Sequence, residues 1–161
     1  MKLDELYDRY GEKMYHYVAL RLGSSEDAED VLQEAFCRLA GYSVRWALVR
    51  NPKAFVFKVL RNEANRHLAR RIKQREDGQN NPRRLNNPGF FIEEPDESSA
   101  AAVSEALSQL PDGQKEIIIL KIFQEFTFKE IAGICGLSIN TAASRYRYGI
   151  EKLRASLEGK V

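Results

Sequence analysis

Apolar residues recur along this chain at spacings of three and four, the helical period, and no stretch alternates convincingly as a strand would. Leu3, Leu6, Tyr7, Tyr10, Met14, Tyr17, Val18 and Leu22 form one stripe, which predicts a helix over 3–22 ended by Gly23. Gly11 weakens it by roughly 1 kcal/mol relative to alanine. Ser24 and Ser25 then offer a cap, and Glu26 and Asp27 suit the positive end of a second helix. That helix points Ala28, Val31, Leu32, Ala35, Phe36 and Leu39 inward. A loop from Gly41 carries Trp46, the only tryptophan, to an Asn51-Pro52 turn signal. Pro52 fits the first turn of a third helix running to about Arg75, with Phe55, Val56, Val59, Leu60, Ala64 and Leu68 inward.

Residues 76–98 break every period and read as a linker of Asn, Pro, Gly and acidic residues. Fully extended, this stretch spans roughly 75 Å; as a flexible coil it averages ~25 Å. Phe90, Phe91 and Ile92 are out of character in it and suit docking on a domain or a partner. From Ser99 the helical period returns. Val103, Ala106, Leu107 and Leu110 share a face stopped by Pro111, Asp112 is the predicted cap of the next helix, and Ile117, Ile118, Leu120, Ile122 and Phe123 are its predicted core. The expected fold is therefore all-α, as two small helical domains over 1–75 and 99–161 joined by a flexible linker over 76–98.

The last segment is the most legible. Phe128 to Ile134 predicts a short helix, Gly136 supplies a residue able to take left-handed backbone, Leu137 plugs the corner, and Ser138 caps a long helix. On that helix Ile139, Ala142, Ala143, Tyr146, Ile150, Leu153 and Leu157 fall in one arc, and Asn140, Thr141, Ser144, Arg145, Tyr148 and Lys152 in the opposite one. This is a helix-turn-helix whose exposed first turns are short and polar, with basic residues beyond them, as entry into a DNA major groove requires. Helix-turn-helix units also serve as protein-interaction modules, so the rest of the chain has to decide.

Charge decides part of it. The net charge of +2 conceals segregation: residues 1–44 carry 5 basic and 9 acidic groups, 45–84 carry 12 and 3, 85–112 carry none and 6, and 113–161 carry 8 and 5. Two basic zones kept apart by acidic ones suggest two contacts with a polyanion. The second helix shows Glu26, Asp27, Glu29, Asp30, Gln33 and Glu34 on its outer face. Such a face is either simply solvated or meets a protein, since it repels phosphate. The third helix carries Lys58, Arg61, Asn62, Asn65, Arg66, Arg70, Arg71 and Lys73 beside Trp46, Phe55 and Phe57. Basic groups that track a backbone and aromatics that stack on unpaired bases suit single-stranded nucleic acid; the same aromatics equally suit a core.

Several classes are set aside. The densest apolar run, Ile117 to Phe123, is too short to span a membrane and contains Lys121, and the acidic, amphipathic N-terminus does not resemble a signal peptide. Cys37 and Cys135 lack CxxC spacing, so two reduced structural thiols and no metal site are expected. No glycine-rich phosphate loop, metal-binding carboxylate pair or nucleophile–histidine pair argues for an enzyme, and His16 and His67 read as structural or phosphate-adjacent. A stand-alone duplex-DNA regulator needs neither the acidic second helix nor the aromatic, basic third one.

Taken in order, these segments resemble a bacterial sigma factor of the extracytoplasmic-function group, the type with two sigma domains. DAEDVLQEAFCRLA at 27–40 resembles its polymerase-clamp helix, NPKAFVFKVLRNEANRHLARR at 51–71 the segment that melts and reads the minus-ten element, and residues 107–154 the domain that reads the minus-thirty-five element. The resemblance implies a cytoplasmic, cofactor-free, non-enzymatic protein that binds core RNA polymerase, directs it to promoters and helps open them. The partners it implies are core polymerase, promoter DNA and an anti-sigma protein, with no insertion into a membrane. It implies that Asp27, Asp30, Gln33 and Glu34 face the polymerase clamp. Trp46, Asn51, Lys53, Phe55, Lys58, Arg61, Asn62 and Arg66 would serve the minus-ten element, and Ser138, Asn140, Thr141, Ser144, Arg145, Arg147 and Tyr148 the minus-thirty-five element. The chain departs from the family's usual residues at Phe55, Arg66 and Ala142-Ala143, where tryptophan, an acid and a valine-lysine pair are common.

Overall fold

A computed structural model of the protein describes residues 2–41, 43–78 and 97–158 as seven α-helices, with no strand among those residues. The first lobe holds α1 (Leu3–Leu22), α2 (Ser25–Gly41) and α3 (Pro52–Glu76), with a 3-10 turn over Ser43–Leu48 between the last two. Gly23 ends α1 in left-handed backbone at φ 70°, its N–H donating to the Ala19 carbonyl. The Ser24 hydroxyl accepts from the Asp27 N–H at 3.2 Å, and the Asn51 side chain caps α3 by accepting from the Ala54 N–H at 3.1 Å. Met14, Tyr17 and Val18 of α1, Ala28 and Ala35 of α2 and Val56, Phe57 and Leu60 of α3 meet in the core with no exposed surface. Each large side chain so buried stabilises the lobe by about 1.5–3 kcal/mol.

The second lobe holds α4 (Glu97–Ser108), α5 (Asp112–Ile118), α6 (Phe128–Cys135) and α7 (Ile139–Leu157). Here three expectations are corrected. Pro111 occupies the cap position of α5, and Asp112 is its first helical residue, turned toward Arg21 instead of capping. The chain leaves α5 through a π-helical turn, Ile119–Phe123, closed by the Gln124 N–H on the Ile119 carbonyl. The extra residue in that turn buries Ile119 and swings Ile122 outward to 46% exposure, where core had been expected. Ile139 opens α7 at the turn itself and is 49% exposed, not part of the buried arc.

Glu125 follows the π turn at φ 61°, a left-handed conformation unusual for a residue with a Cβ. It turns the chain so that Phe126 enters the core at 2% exposure. Thr127 and Glu130 then form a capping box at the start of α6, and Gly136 at φ 68° ends that helix. α7 crosses α5 at Gly149, where a Cβ would lie 2.7 Å from Ile118 Cδ1 and 3.3 Å from Gln114 Cβ. A side chain there would have to push aside the Ile118 methyl and displace Gln114 by a few tenths of an ångström.

The two lobes pack on each other. α1 lies against α4, α5 and the π turn, and α6 lies against α3, so one hydrophobic cluster runs through both. α3 ends at Glu76 and α4 begins at Glu97. The expectation for Phe90, Phe91 and Ile92 falls outside the described residues.

Candidate functional site

The acidic face of α2 is narrower than its sequence implies. Asp30, Gln33 and Glu34 are exposed, but Asp27 is fully buried, with its carboxylate 3.2 Å from His67 Nε2 and 3.2 Å from Arg71 Nη1. Asp27 is therefore a stitch between α2 and α3, not part of the outer face, because it shares a helical side with Val31 and Ala35. A second buried carboxylate, Glu63, pairs with Arg38 of α2 and, at 3.0 Å, with Arg66 of α3. Asp30, Gln33 and Glu34 border a cleft of about 270 Å³ completed by Glu63, His67 and Arg70.

On α3, Lys58, Asn62 and Arg66 are exposed and lie one turn apart along a single face. The other residues expected beside them are engaged. Trp46 is only 8% exposed and meets Phe55 edge to face at 5.6 Å, and Phe57 has no exposed surface. Both rings are core, and neither offers a free face for a base. Asn51 Nδ2 donates to Glu130 Oε2 at 2.7 Å. Lys53 Nζ donates to the Gln124 carbonyl at 2.6 Å and sits 4.7 Å from the Phe126 ring centre. Burial, aided by Lys13, holds its ammonium below the ordinary lysine pKa.

Arg61 leads to a group that sequence reasoning missed. Its Nε donates to both oxygens of Glu116, at 3.0 and 3.1 Å. Tyr17 donates to Glu116 at 2.7 Å, Arg21 Nη1 lies 2.9 Å from the same oxygen, and Cys135 Sγ donates at 3.2 Å. Arg21 also holds Asp112 at 3.0 Å and Asn65 at 2.6 Å. Burial, then the charge of Glu116, pushes the Cys135 thiol up to about 12, and the same two causes raise Tyr17 well above the ordinary tyrosine value. Burial alone would raise Asp112, but the hydrogen bond and charge of Arg21 outweigh it and hold that carboxyl low. The available signal in the sequence was a lone Glu116 set among Ile117, Ile118 and Leu120.

In the helix-turn-helix, Ser138 accepts from the Thr141 N–H at 3.1 Å and its hydroxyl donates to Thr141 Oγ1 at 2.8 Å. Asn140, Arg145, Arg147 and Tyr148 are exposed, and Thr141 and Ser144 half-buried. The Arg145 guanidinium lies over Gly113, 3.3 Å from where a Cβ would stand, and Arg147 lies over the Tyr148 ring at 5.5 Å. Among the described residues no group of three or more His, Cys, Asp or Glu is placed to hold a metal, and no helix is long and apolar enough to cross a membrane.

An acidic helix beside a basic one in the first lobe, and a helix-turn-helix with an exposed second helix in the second, are the arrangement of an all-α protein suited to meeting nucleic acid at two places. The family described as Sigma-70 region 2 matches residues 6–74, and Sigma-70, region 4 matches residues 100–153. The chain belongs to the sigma-70 family, in its extracytoplasmic-function group, and directs RNA polymerase to promoters. It is 28% identical to the ECF RNA polymerase sigma factor EcfG of Rhodopseudomonas palustris, over 84% of this chain and 74% of that one. It is 23% identical to SigW of Bacillus subtilis, over 95% and 87%. Its fold is similar to that of the sigma factor RpoE solved with the anti-sigma factor NepR from Bartonella quintana. That match has a TM-score of 0.80 at 23% identity and covers 97% of this chain and 96% of the other. CnrH, solved with the cytosolic domain of CnrY, matches with a TM-score of 0.69 at 22% identity over 99% and 89%. Sigma factors are regulatory transcription factors rather than enzymes.

Proposed function

We propose that the two lobes divide promoter recognition between them, with the first spanning 1–75, the second 99–161 and a tether over 76–98. In this reading Asp30, Gln33 and Glu34 meet core polymerase, and Asn51, Lys53, Phe55, Lys58, Arg61, Asn62 and Arg66 serve the melted non-template strand. Trp46 holds the preceding loop from beneath. Asn140, Thr141, Ser144 and Arg145 read the upstream box in the major groove, Arg147 and Tyr148 contact phosphate, and Ser138 caps the reading helix. One observation carries the division. Lys58, Asn62 and Arg66 line one exposed side of α3, while the neighbouring α2 exposes Asp30, Gln33 and Glu34. The first row attracts a phosphate backbone and the second repels it, so one lobe presents separate faces to DNA and to protein. The protein acts in the cytoplasm without chemistry of its own. RpoE and CnrH were solved with NepR and CnrY, which supports an anti-sigma partner for this chain as well.

The test is a pair of variants in reconstituted transcription. Arg145→Ala should lose ~5–150-fold, or about 1–3 kcal/mol, at promoters that depend on the upstream box, if the guanidinium makes a bidentate base contact. Reversal of Asp30 and Glu34 to lysine should weaken core binding and leave duplex binding by the second lobe alone. Core affinity unchanged by the reversal would contradict the polymerase assignment, and an equal loss on all DNA would make Arg145 a phosphate contact.

A further inference from the structure

We propose that Gly113, which lies outside the helix-turn-helix, is the positioning residue for Arg145 and so sets how sharply α7 discriminates one base pair of the upstream box. The inference rests on the assignment of Arg145 to base reading above.

Arg145 stands one turn before Gly149, on the flank of α7 that turns toward α5. Its side chain lies along the first turn of α5. A Cβ at Gly113 would stand 3.3 Å from Arg145 Nη1, 3.7 Å from its Cζ and 3.9 Å from its Cδ. The guanidinium and the end of its stem therefore both rest in the space that glycine leaves. This contact is half of an exchange. Where the same two helices cross further along, Gly149 of α7 makes room for Ile118 of α5, whose Cδ1 would lie 2.7 Å from a Cβ there. One glycine on each helix receives a side chain of the other. The exchange fixes the level at which α7 lies on α5, and with it the place from which the Arg145 stem departs.

The backbone does not ask for glycine at 113. Gly113 is the second residue of α5 and, unlike Gly23, Gly78 and Gly136, does not have positive φ. Alanine would suit the helix better, so what glycine supplies is the space. Arg21, Arg38, Arg61, Arg66 and Arg71 are each held by a carboxylate, whereas no carboxylate among the described residues pairs with Arg145. Arg145 is thus seated by contact, and its charge is left for a base edge. Bidentate reading of a base needs the group held within about 0.5 Å of the productive place, which a freely rotating exposed arginine does not achieve. Alanine at 113 would shift the guanidinium by a few tenths of an ångström, and a leucine would deny it the seat altogether.

The test is transcription by core enzyme with the full chain on a library randomised through the upstream box, with preference at each base pair read by sequencing. Arg145→Ala should remove the preference at one base pair, ~5–150-fold for a bidentate contact. Gly113→Leu should remove most of it at that same base pair and Gly113→Ala a smaller part, with preferences elsewhere in the box kept. Gly113→Ala should melt no lower than wild type. In an Arg145→Ala background neither Gly113 variant should alter any preference further, a result that mere loosening of the lobe would not give. Wild-type preferences in both folded Gly113 variants, with the Arg145→Ala loss present, would overturn the positioning and leave the reading standing. A change of preference by Gly113→Ala in the Arg145→Ala background would also overturn it, since Gly113 would then act by another route. No base-specific change in Arg145→Ala would remove the reading assignment, and this inference with it.

Discussion

Asp27 and Asp30 stand one turn apart on α2 and have different roles. Asp27 lies four residues before Val31 and eight before Ala35, so it follows the buried stripe and spends its charge on His67 and Arg71. Removing it leaves the Arg71 guanidinium and the His67 ring facing a void, and breaking a buried pair typically costs about 3–5 kcal/mol. Asp27→Ala should therefore shift the urea midpoint strongly, whereas the Asp30, Glu34 double reversal should leave it nearly unchanged and weaken only core binding. A large stability loss in the double reversal, or none in Asp27→Ala, would contradict this division. The sequence supplied the acidic residues but not their direction, since a face of six polar residues is wider than the helix has outside surface. Trp46 and Phe57 illustrate the same limit. Aromatics beside cations fit stacking or core, and packing against Phe55 and Tyr17 decides for core.

At the scale of elements, the helix-turn-helix was readable almost to the residue because its ends are marked by local chemistry: Gly136 at positive φ and Ser138 as a cap. The Thr127–Glu130 capping box was equally local and had been overlooked. Thr127→Ala should lower stability by about 1 kcal/mol in a denaturant titration; no change would mean the cap contributes nothing there. The π turn was not readable, since its extra residue reflects how Ile119 and Phe126 are accommodated in the core rather than any signal in Ile119–Phe123. Gly149 is another tertiary choice: it looks like a weak point in α7 and instead lets α7 touch Ile118. Gly149→Val should destabilise the protein by about 1–3 kcal/mol through overpacking, despite the poor helix propensity of glycine. A more stable variant would show that α5 and α7 have room to separate.

For the whole molecule, the all-α class and the two-part plan were legible in periodicity and in the break at 76–98, but the docking of the parts was not. A tether in sequence says nothing of whether its ends pack together; that depends on Glu116, Arg21, Arg61 and Phe126, which are far apart along the chain. The docking has a pH signature. Arg21 holds Asp112 low against burial, and the Thr127 N–H, followed by Asn51 and Lys53, holds Glu130 low. Carboxyls with depressed pKa bind fewer protons in the folded state, so their contribution is complete above the ordinary carboxyl range of about 4 and is lost as pH falls through the depressed values. Thermal stability should hold from neutral pH to about 5 and fall below ~4, with a shallower fall in Asp112→Asn; an unchanged slope would remove Asp112 from the account. The central claim, that this chain brings core polymerase to two-part promoters, is tested most directly by transcription from a genomic fragment pool with core enzyme alone and with the protein added. New start sites preceded by two shared boxes, present only with the protein, are the predicted result. No new starts, together with sequence-specific duplex binding by the protein without polymerase, would contradict it.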